Sequence, residues 1–355
     1  MSQLNHEPLS LRQWLQTSCS LPVFELQPLA NDASFRRYFR IQLTDARYVV
    51  MMAPPETEDL ETFIVLARYF KQHGLQVPEI IAYDLKQGFL LLSDLGDALY
   101  LTLFSTHHAD TLYTQALNVL PRWQRCQPLL PNHQPLKPFD EATLRFEFAL
   151  FVDWFLKRHL GFVLTVSQEQ ALERIFSLLI VSALEQPQVC VHRDYHSRNL
   201  LLVNEQTVGI LDFQDAVYGP ITYDAVSLLR DAYIDWPEER VEKWFSEFYF
   251  GLSPAPIASL TQFTQWFDWM GLQRHLKVLG IFARLCYRDQ KPQYLNSLDR
   301  LLTYIHRMCE RYPTFAPLKT LLPLELTYSS FIEIEKNESD DSCRRSWITN
   351  APFNG

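Results

Sequence analysis

Three side chains set the chemistry open to this chain: Asp194, Asn199 and Asp212. They lie in two short runs, VHRDYHSRNLLL (Val191 to Leu202) and ILDFQDA (Ile210 to Ala216). An aspartate beside an acceptor hydroxyl can orient it and take its proton. An amide and a second carboxylate supply two oxygen ligands to Mg2+, a hard cation that otherwise keeps its waters. Phosphoryl transfer needs little more, because positioning and charge neutralisation carry most of its catalysis. These residue types in this order therefore point to a phosphotransferase using ATP and Mg2+, with Asp194 as base and Asn199 and Asp212 as metal ligands.

The spacing says what must hold them. Asp194 and Asn199 are five residues apart, which suits a compact loop and not one face of a helix. Leu200 to Val203 reads as a short buried strand, Asn204-Glu205 as a turn, and Val208 to Leu211 as the returning strand. Such a hairpin brings Asp212 back beside Asn199. Upstream, Leu9 to Thr17 is a short amphipathic helix. Phe35 to Gln42 and Arg47 to Met52 are strands around a Thr44-Asp45 turn. Phe63, Leu66, Ala67 and Phe70 recur on one face of a helix over Asp59 to His73, which Gly74 ends. Ile80 to Asp84 and Gly88 to Leu92 form a second hairpin, and Ser93-Asp94-Leu95-Gly96 the hinge at which backbone groups could meet adenine. Leu91 and Ser93 are accordingly candidate nucleotide contacts. From there to about Leu324 the pattern is mainly helical.

The order H-R-D-x-x-x-x-N followed by D-F resembles the catalytic and metal-binding layout of the protein-kinase-like phosphotransferases. Protein kinases usually carry a lysine two residues past the catalytic aspartate, whereas His196 stands here. The run from Asp212 to a helix at Tyr223 to Ala232 leaves no room for an activation segment. The D-x-H-x-x-N pattern with DFQDA resembles the aminoglycoside phosphotransferase family of small-molecule kinases. Within it, NDASFRRYFRI (Asn31 to Ile41), VVMMAPPE (Val49 to Glu56) and GIFARLCYRD (Gly280 to Asp289) look like the anomeric sugar kinases of bacterial cell-wall recycling. The resemblance spans roughly residues 10 to 320. It implies a two-lobed α+β protein-kinase-like fold: a small β-rich N-lobe with one main helix over 1–95, a larger mainly helical C-lobe over 96–325, and a loosely ordered polar tail over 326–355. It also implies phosphorylation of N-acetylmuramate, N-acetylglucosamine or both at C1.

The phosphate end of the small lobe departs from a protein kinase. Ala33, Ser34, Phe35 and Arg36 occupy the loop position without a glycine, and Met51 or Met52 the lysine position. Small residues at 33 and 34 would let backbone N–H groups approach a phosphate, and Arg36 or Arg37 would supply the missing cation, unless the run is a surface turn with solvated arginines. For the acceptor, His196, Asp215 and Arg284 are candidates. Asp215 is equally readable as a turn former. His192 reads as a brace behind the loop, Asp224 as a helix cap or brace, Arg288 as part of a solvated helix face, and Trp266 and Trp269 as core.

Composition sets outer limits. A chain of 355 residues with 47% hydrophobic content can fill two lobes. No apolar run of about 18 residues and no leader pattern is present, so neither a membrane span nor secretion is expected. Six scattered cysteines without C-x-x-C spacing fit reduced thiols of a cytoplasmic protein. A net charge of -9 argues against general nucleic-acid binding. A monomer acting on a small-molecule amino sugar is expected. Two rivals stand: an aminoglycoside kinase, favoured by the acidic run Asp231, Asp235, Glu238 and Glu239, and a non-catalytic nucleotide-binding module.

Overall fold

The structure, a computed structural model, describes residues 9–29, 36–104, 109–252 and 258–322. The chain forms two compact units that alternate along the sequence. The first comprises Met1–Lys137, Val189–Tyr218 and Phe250–Ser253; the second comprises Pro138–Gln188, Gly219–Tyr249 and Pro254–Gly355.

The first unit opens with α1 (Leu9–Thr17), then β1 (Leu26–Pro28), β2 (Arg37–Gln42), β3 (Arg47–Met52), α2 (Leu60–Gln72), β4 (Ile80–Asp84) and β5 (Phe89–Ser93). The strands make one antiparallel sheet in the order β1-β2-β3-β5-β4, with Tyr38 opposite Met51 and Val50 opposite Leu91. Leu11, Trp14 and Leu15 of α1 cover Phe39, Ile41, Val50, Phe89 and Leu91 on one side. Leu90 and Leu92 point the other way and are equally buried, which is why β5 reads as an unbroken apolar run. The hairpin between β4 and β5 closes on Gly88, at φ +73°, where a Cβ would lie 2.0 Å from the Ala53 carbonyl oxygen. Helix α2 begins at Asp59, whose carboxylate accepts from the Thr62 N–H at 3.0 Å.

The unit continues through α3 (Tyr100–Leu103), α4 (Ala109–Gln124) and the short strands β6 (Lys137–Pro138) and β7 (Gln188–Val191), to β8 (Leu200–Asn204), β9 (Thr207–Ile210) and β10 (Val217–Pro220). β8 and β9 form the expected hairpin, with Leu200 opposite Ile210. It is held from outside by segments far away in sequence. Ile210 N–H donates to Gln76 O at 2.8 Å, Leu202 N–H to Ala98 O at 2.9 Å, and Leu101 N–H to Ser197 O at 3.1 Å.

The second unit is helical: α5 (Glu141–Leu150), a π-helix (Phe151–His159), α6 (Val166–Leu184), α7 (Tyr223–Leu229), α8 (Glu238–Gly251), α9 (Leu260–Tyr287), α10 (Leu298–Arg311) and α11 (Pro317–Leu321). Most of α9 from Phe263 to Leu285 is buried, so it serves as the unit's central post. Gly280 lets it pass close to the junction of α5 with the π-helix; a Cβ there would meet the Leu150 carbonyl carbon at 2.3 Å and Phe151 N at 2.5 Å. Buried polar ties join the same helices, with Gln273 donating to Glu147 at 2.8 Å and Lys277 Nζ 3.1 Å from that carboxylate. Trp266 and Trp269 lie in this packing, the first donating to Glu185 at 2.6 Å and the second set against Phe315. No helix among the described residues is long and apolar enough to cross a membrane. The five described cysteines are all free thiols.

Candidate active site

The loop after β7 is built on one buried imidazole. His192 Nε2 lies 2.9 Å from Leu211 O, and its Nδ1 accepts the Asp194 N–H at 3.2 Å. One ring nitrogen must therefore carry the proton and the other must not, the neutral form. Burial pushes the His192 pKa down to about 4, in agreement with that arrangement. Trp123 lines the ring at 5.0 Å. His192 thus fastens the residues before Asp194 to the residue before Asp212.

The rest of the loop closes by short bonds. Asp194 O accepts from the His196 N–H and from the Asn199 side-chain amide, each at 3.0 Å, and Asn199 O accepts from Leu211 N–H at 2.9 Å. With its Nδ2 so used, Asn199 leaves Oδ1 as the atom with no donor among the described residues. Arg193 and Asp212 both take positive φ, +75° and +61°. Aspartate tolerates that conformation better than most residues, whereas for arginine it is strained and held by the surrounding bonds.

Asp212 is crowded by protein atoms on one side and open to solvent over 46% of its side chain. Its carboxyl is raised above the usual range, first by lost hydration and then by the nearby Asp194 and Asp215 carboxylates; the Gln214 amide and Arg36 oppose the rise. Oδ1 accepts from Gln214 Nε2 at 2.7 Å and lies 3.9 Å from Arg36 Nη1. Arg36 in turn is gripped by Glu58, with Nε 2.8 Å and Nη2 2.7 Å from the same carboxylate oxygen.

The expected site residues fall into three groups. Asp194, His196, Asn199, Asp212 and Asp215 come together through the loop and hairpin of the first unit, with Arg36 reaching Asp212. His196 lies inside the turn between Asp194 and Asn199, and Asp215 is exposed beside Gln214. Leu91, expected at the nucleotide, is a buried residue, 1% exposed and paired on both strand edges, opposite Val50 and Ala82. Ser93 Oγ accepts from Glu79 N–H at 2.8 Å. The hinge that follows is fixed by Asp94, which accepts from Gly96 N–H at 2.8 Å and pairs with Arg40 Nε at 2.7 Å. Ala33, Ser34 and Phe35 lie outside the described residues, as does the tail.

Arg284 belongs to the second unit. Its Nε is buried without a hydrogen-bond partner, and its pKa is lowered by lost hydration and by Arg288. The neighbouring Asp289 carboxylate is taken up by Arg288, at 2.8 and 2.9 Å. Arg288 itself is a solvated helix-end residue. The acidic run is largely spent inside the unit: Asp231 accepts from Tyr233 N–H at 2.9 Å, Glu238 takes Arg230, and Asp235 stands 3.6 Å from Arg307.

Glu58 is what a reading of motifs passes over. Its signal is the acidic run PETEDLE around the start of α2, a source of carboxylates for an arginine. The brace expected of His192 has its partner in Leu211, 19 residues away.

Residues 25–256 match the profile of the phosphotransferase enzyme family. The chain belongs to that family. Among curated relatives, this family member is 46% identical over 307 residues to an N-acetylmuramate/N-acetylglucosamine kinase of Pseudomonas aeruginosa, covering 85% of this chain and 89% of that one. A protein of the same name from Neisseria meningitidis is 41% identical over 324 residues, covering 88% and 94%. Solved structures share the fold at low identity. A Plasmodium vivax ethanolamine kinase superposes with a TM-score of 0.64 at 14% identity, covering 89% of this chain and 93% of that one. The ADP-bound aminoglycoside phosphotransferase APH(2'')-Ib gives 0.56 at 14%, covering 85% and 99%. The fold is therefore protein-kinase-like, a β-sheet N-terminal part followed by a mainly helical one.

The donor set in this phosphotransferase suits a metal–nucleotide pair better than a protein-only metal site. Among the described residues no three His, Cys, Asp or Glu side chains gather to hold an ion. Magnesium asks for less: one or two protein oxygens, with phosphate and water filling the remaining positions. Asn199 Oδ1 and the Asp212 carboxylate are such oxygens, with the Asp194 and Asp215 carboxylates close by.

Proposed function

We propose that this chain is an ATP-dependent sugar kinase that phosphorylates the anomeric hydroxyl of N-acetylmuramate, N-acetylglucosamine or both. The observation that carries the reading is 41–46% identity, over most of the chain, to three relatives of that name. In this reading Asp194 accepts the proton of the C1 hydroxyl as it attacks. That hydroxyl is more acidic than an ordinary alcohol because the ring oxygen withdraws electrons, so a carboxylate base suffices. Asn199 and Asp212 would hold Mg2+, which when bound neutralises phosphate charge. His192 keeps the base and the metal ligand at a fixed separation. Ala33, Ser34 and Arg36 would face the phosphates, while the backbone after Ser93 meets adenine. His196 and Asp215 would contact the sugar.

Arg284 would take the lactyl carboxylate of N-acetylmuramate, since a half-buried guanidinium with an unpartnered Nε suits an anion. The lobe boundary near residue 95 and a cytoplasmic monomer belong to the same proposal. The aminoglycoside reading is weakened because Asp231 and Glu238 of the acidic run are engaged within their own unit.

The test is a substrate panel with ATP and Mg2+: both amino sugars, and aminoglycosides as the contrast. Phosphorus NMR should show a product phosphate coupled to the anomeric proton. Asp194→Asn should lower single-turnover rate by about 10² to 10⁴ with nucleotide affinity nearly intact. Turnover of aminoglycosides alone, or phosphate on another hydroxyl, would overturn the reading.

A further inference from the structure

Strand β3 carries Met51 and Met52 where a kinase lysine would stand, and its one cation, Arg47, lies at the other end of the strand, 3.9 Å from Asp94 and 3.8 Å from Asp97. What approaches Asp212 instead is Arg36, at the mouth of β2. Several contacts hold it, Tyr38 on β2 among them. Glu58 grips Nε and Nη2 at 2.8 and 2.7 Å, and the side chains of both partners are 12% exposed. Phe63 of α2 lies under the guanidinium at 5.9 Å. That same ring stacks on Phe213, the neighbour of Asp212, at 5.0 Å and 27°. Nη1 lies 3.9 Å from Asp212 Oδ1, close enough for attraction and too long for a hydrogen bond.

The geometry is that of a shared cation. Glu58 takes two of the guanidinium's donor nitrogens on one oxygen, so the arginine cannot close onto Asp212 with the paired bonds it otherwise favours. Arg36 offsets the Asp212 charge from a distance and leaves the carboxylate oxygens accessible. Without Glu58 it would settle on Asp212 and compete with any metal ion for it.

We infer that Glu58 is a positioning residue: it restrains Arg36 so that Asp212 can pass from the arginine to a metal ion when nucleotide binds, while Arg36 stays at hand for phosphate oxygens. The inference rests on the proposed function, in which Asp212 holds Mg2+ and Arg36 faces the phosphates. It adds a residue, and a direction of competition, that the motif does not contain. Charge accounting agrees. Arg36, Glu58 and Asp212 together carry one net negative charge, which a divalent ion would invert and the nucleotide phosphates would restore.

The experiment is calorimetric titration of ADP into the full chain, with Mg2+ and with chelator, for wild type, Glu58→Gln, Arg36→Gln and the double variant. Glu58→Gln should lower affinity for Mg2+–ADP about tenfold while leaving metal-free ADP affinity equal or higher, because the released arginine competes only with the metal. The double variant, having no arginine to misplace, should recover the ratio of metal-bound to metal-free affinity to within about threefold of wild type, as coupled neighbours do in such cycles. An equal loss with and without metal would make Glu58 merely structural and overturn the inference. So would additive effects in the cycle. Should Glu58→Gln fail to fold, Glu58→Asp replaces it, and an unchanged metal ratio in that shorter variant likewise overturns the inference. Absence of metal-linked ADP binding in wild type would instead sink the proposed function, and this inference with it.

Discussion

Replacing His192 by alanine tests the idea that one neutral imidazole ties the base loop to the metal loop. The substitution strips a donor from Leu211 O and an acceptor from Asp194 N–H, each costing about 1–3 kcal/mol when left unsatisfied in the interior. It also opens a gap beside Trp123. A loss of about 4 kcal/mol at pH 8 follows. The pH dependence supplies the sharper signature. The folded-state pKa is lowered from 6.5 to about 4, so the unfolded chain takes up a proton first. Stability from this residue is full above pH 6.5 and is lost as the pH falls toward 4. By linkage, wild type has given up about 2 kcal/mol of it at pH 5 and about 3 kcal/mol below pH 4. His192→Ala has no such group to protonate. Buried His275, pushed to about 3, and His159, at about 4, are common to both proteins and cancel. The stability gap between the two proteins should therefore shrink from about 4 kcal/mol at pH 8 to about 2 kcal/mol at pH 5. Urea denaturation followed by tryptophan fluorescence measures it. A gap that stays constant with pH would refute the neutral-imidazole account, and unchanged turnover would refute the brace.

Asp212→Ala should abolish the magnesium dependence of ATP affinity and Asn199→Ala should weaken it; calorimetry with and without the metal reads both, and a wild-type linkage in Asp212→Ala would remove Asp212 as a ligand. Arg284→Ala should reduce kcat/KM for N-acetylmuramate more than for N-acetylglucosamine, by about 1–3 kcal/mol in differential terms, with equal losses pointing to a structural arginine. Gly280→Ala should destabilise the protein by about 1–3 kcal/mol because its Cβ meets backbone atoms at 2.3–2.5 Å. Gly271→Ala in the same helix, with Val226 no nearer than 3.8 Å, should be neutral or stabilising in the same melts.

Local elements were legible because local rules decide them. Helix α1 and strand β3 match the residues read from periodicity, and α2 differs only in that Asp59 and His73 are its caps. The β8–β9 hairpin follows from a two-residue turn between apolar runs. Helix α9, from Leu260 to Tyr287, is hard to read from periodicity. Burial nearly all round erases the one-sided pattern that periodicity needs, and Gln273, Arg274 and Lys277 look like surface residues until their buried partners are known. The π-helix gave no sign in composition, and at its start it packs against Gly280 of α9. The Arg36–Glu58 pair joins residues 22 apart across a strand pair, and no local pattern encodes it. The burial of Leu91 is equally hidden from local pattern: what a strand residue faces depends on what the fold lays over it.

The alternating division of the chain has a consequence for how the protein is made. The β-sheet unit takes its last large segment from Val189–Tyr218, after Pro138–Gln188 has already been committed to the other unit. A ribosome adding about 5–20 residues per second leaves that sheet waiting several seconds for the β8–β9 hairpin that docks on Gln76 and Ala98. During that interval the Gln76 and Ala98 carbonyls lack their amide partners and the apolar surfaces they border stay open. The nascent chain should thus depend on holding chaperones more than a kinase-like protein with contiguous domains of equal stability. Fragments that stop anywhere between residues 137 and 218 should be insoluble or captured by those chaperones.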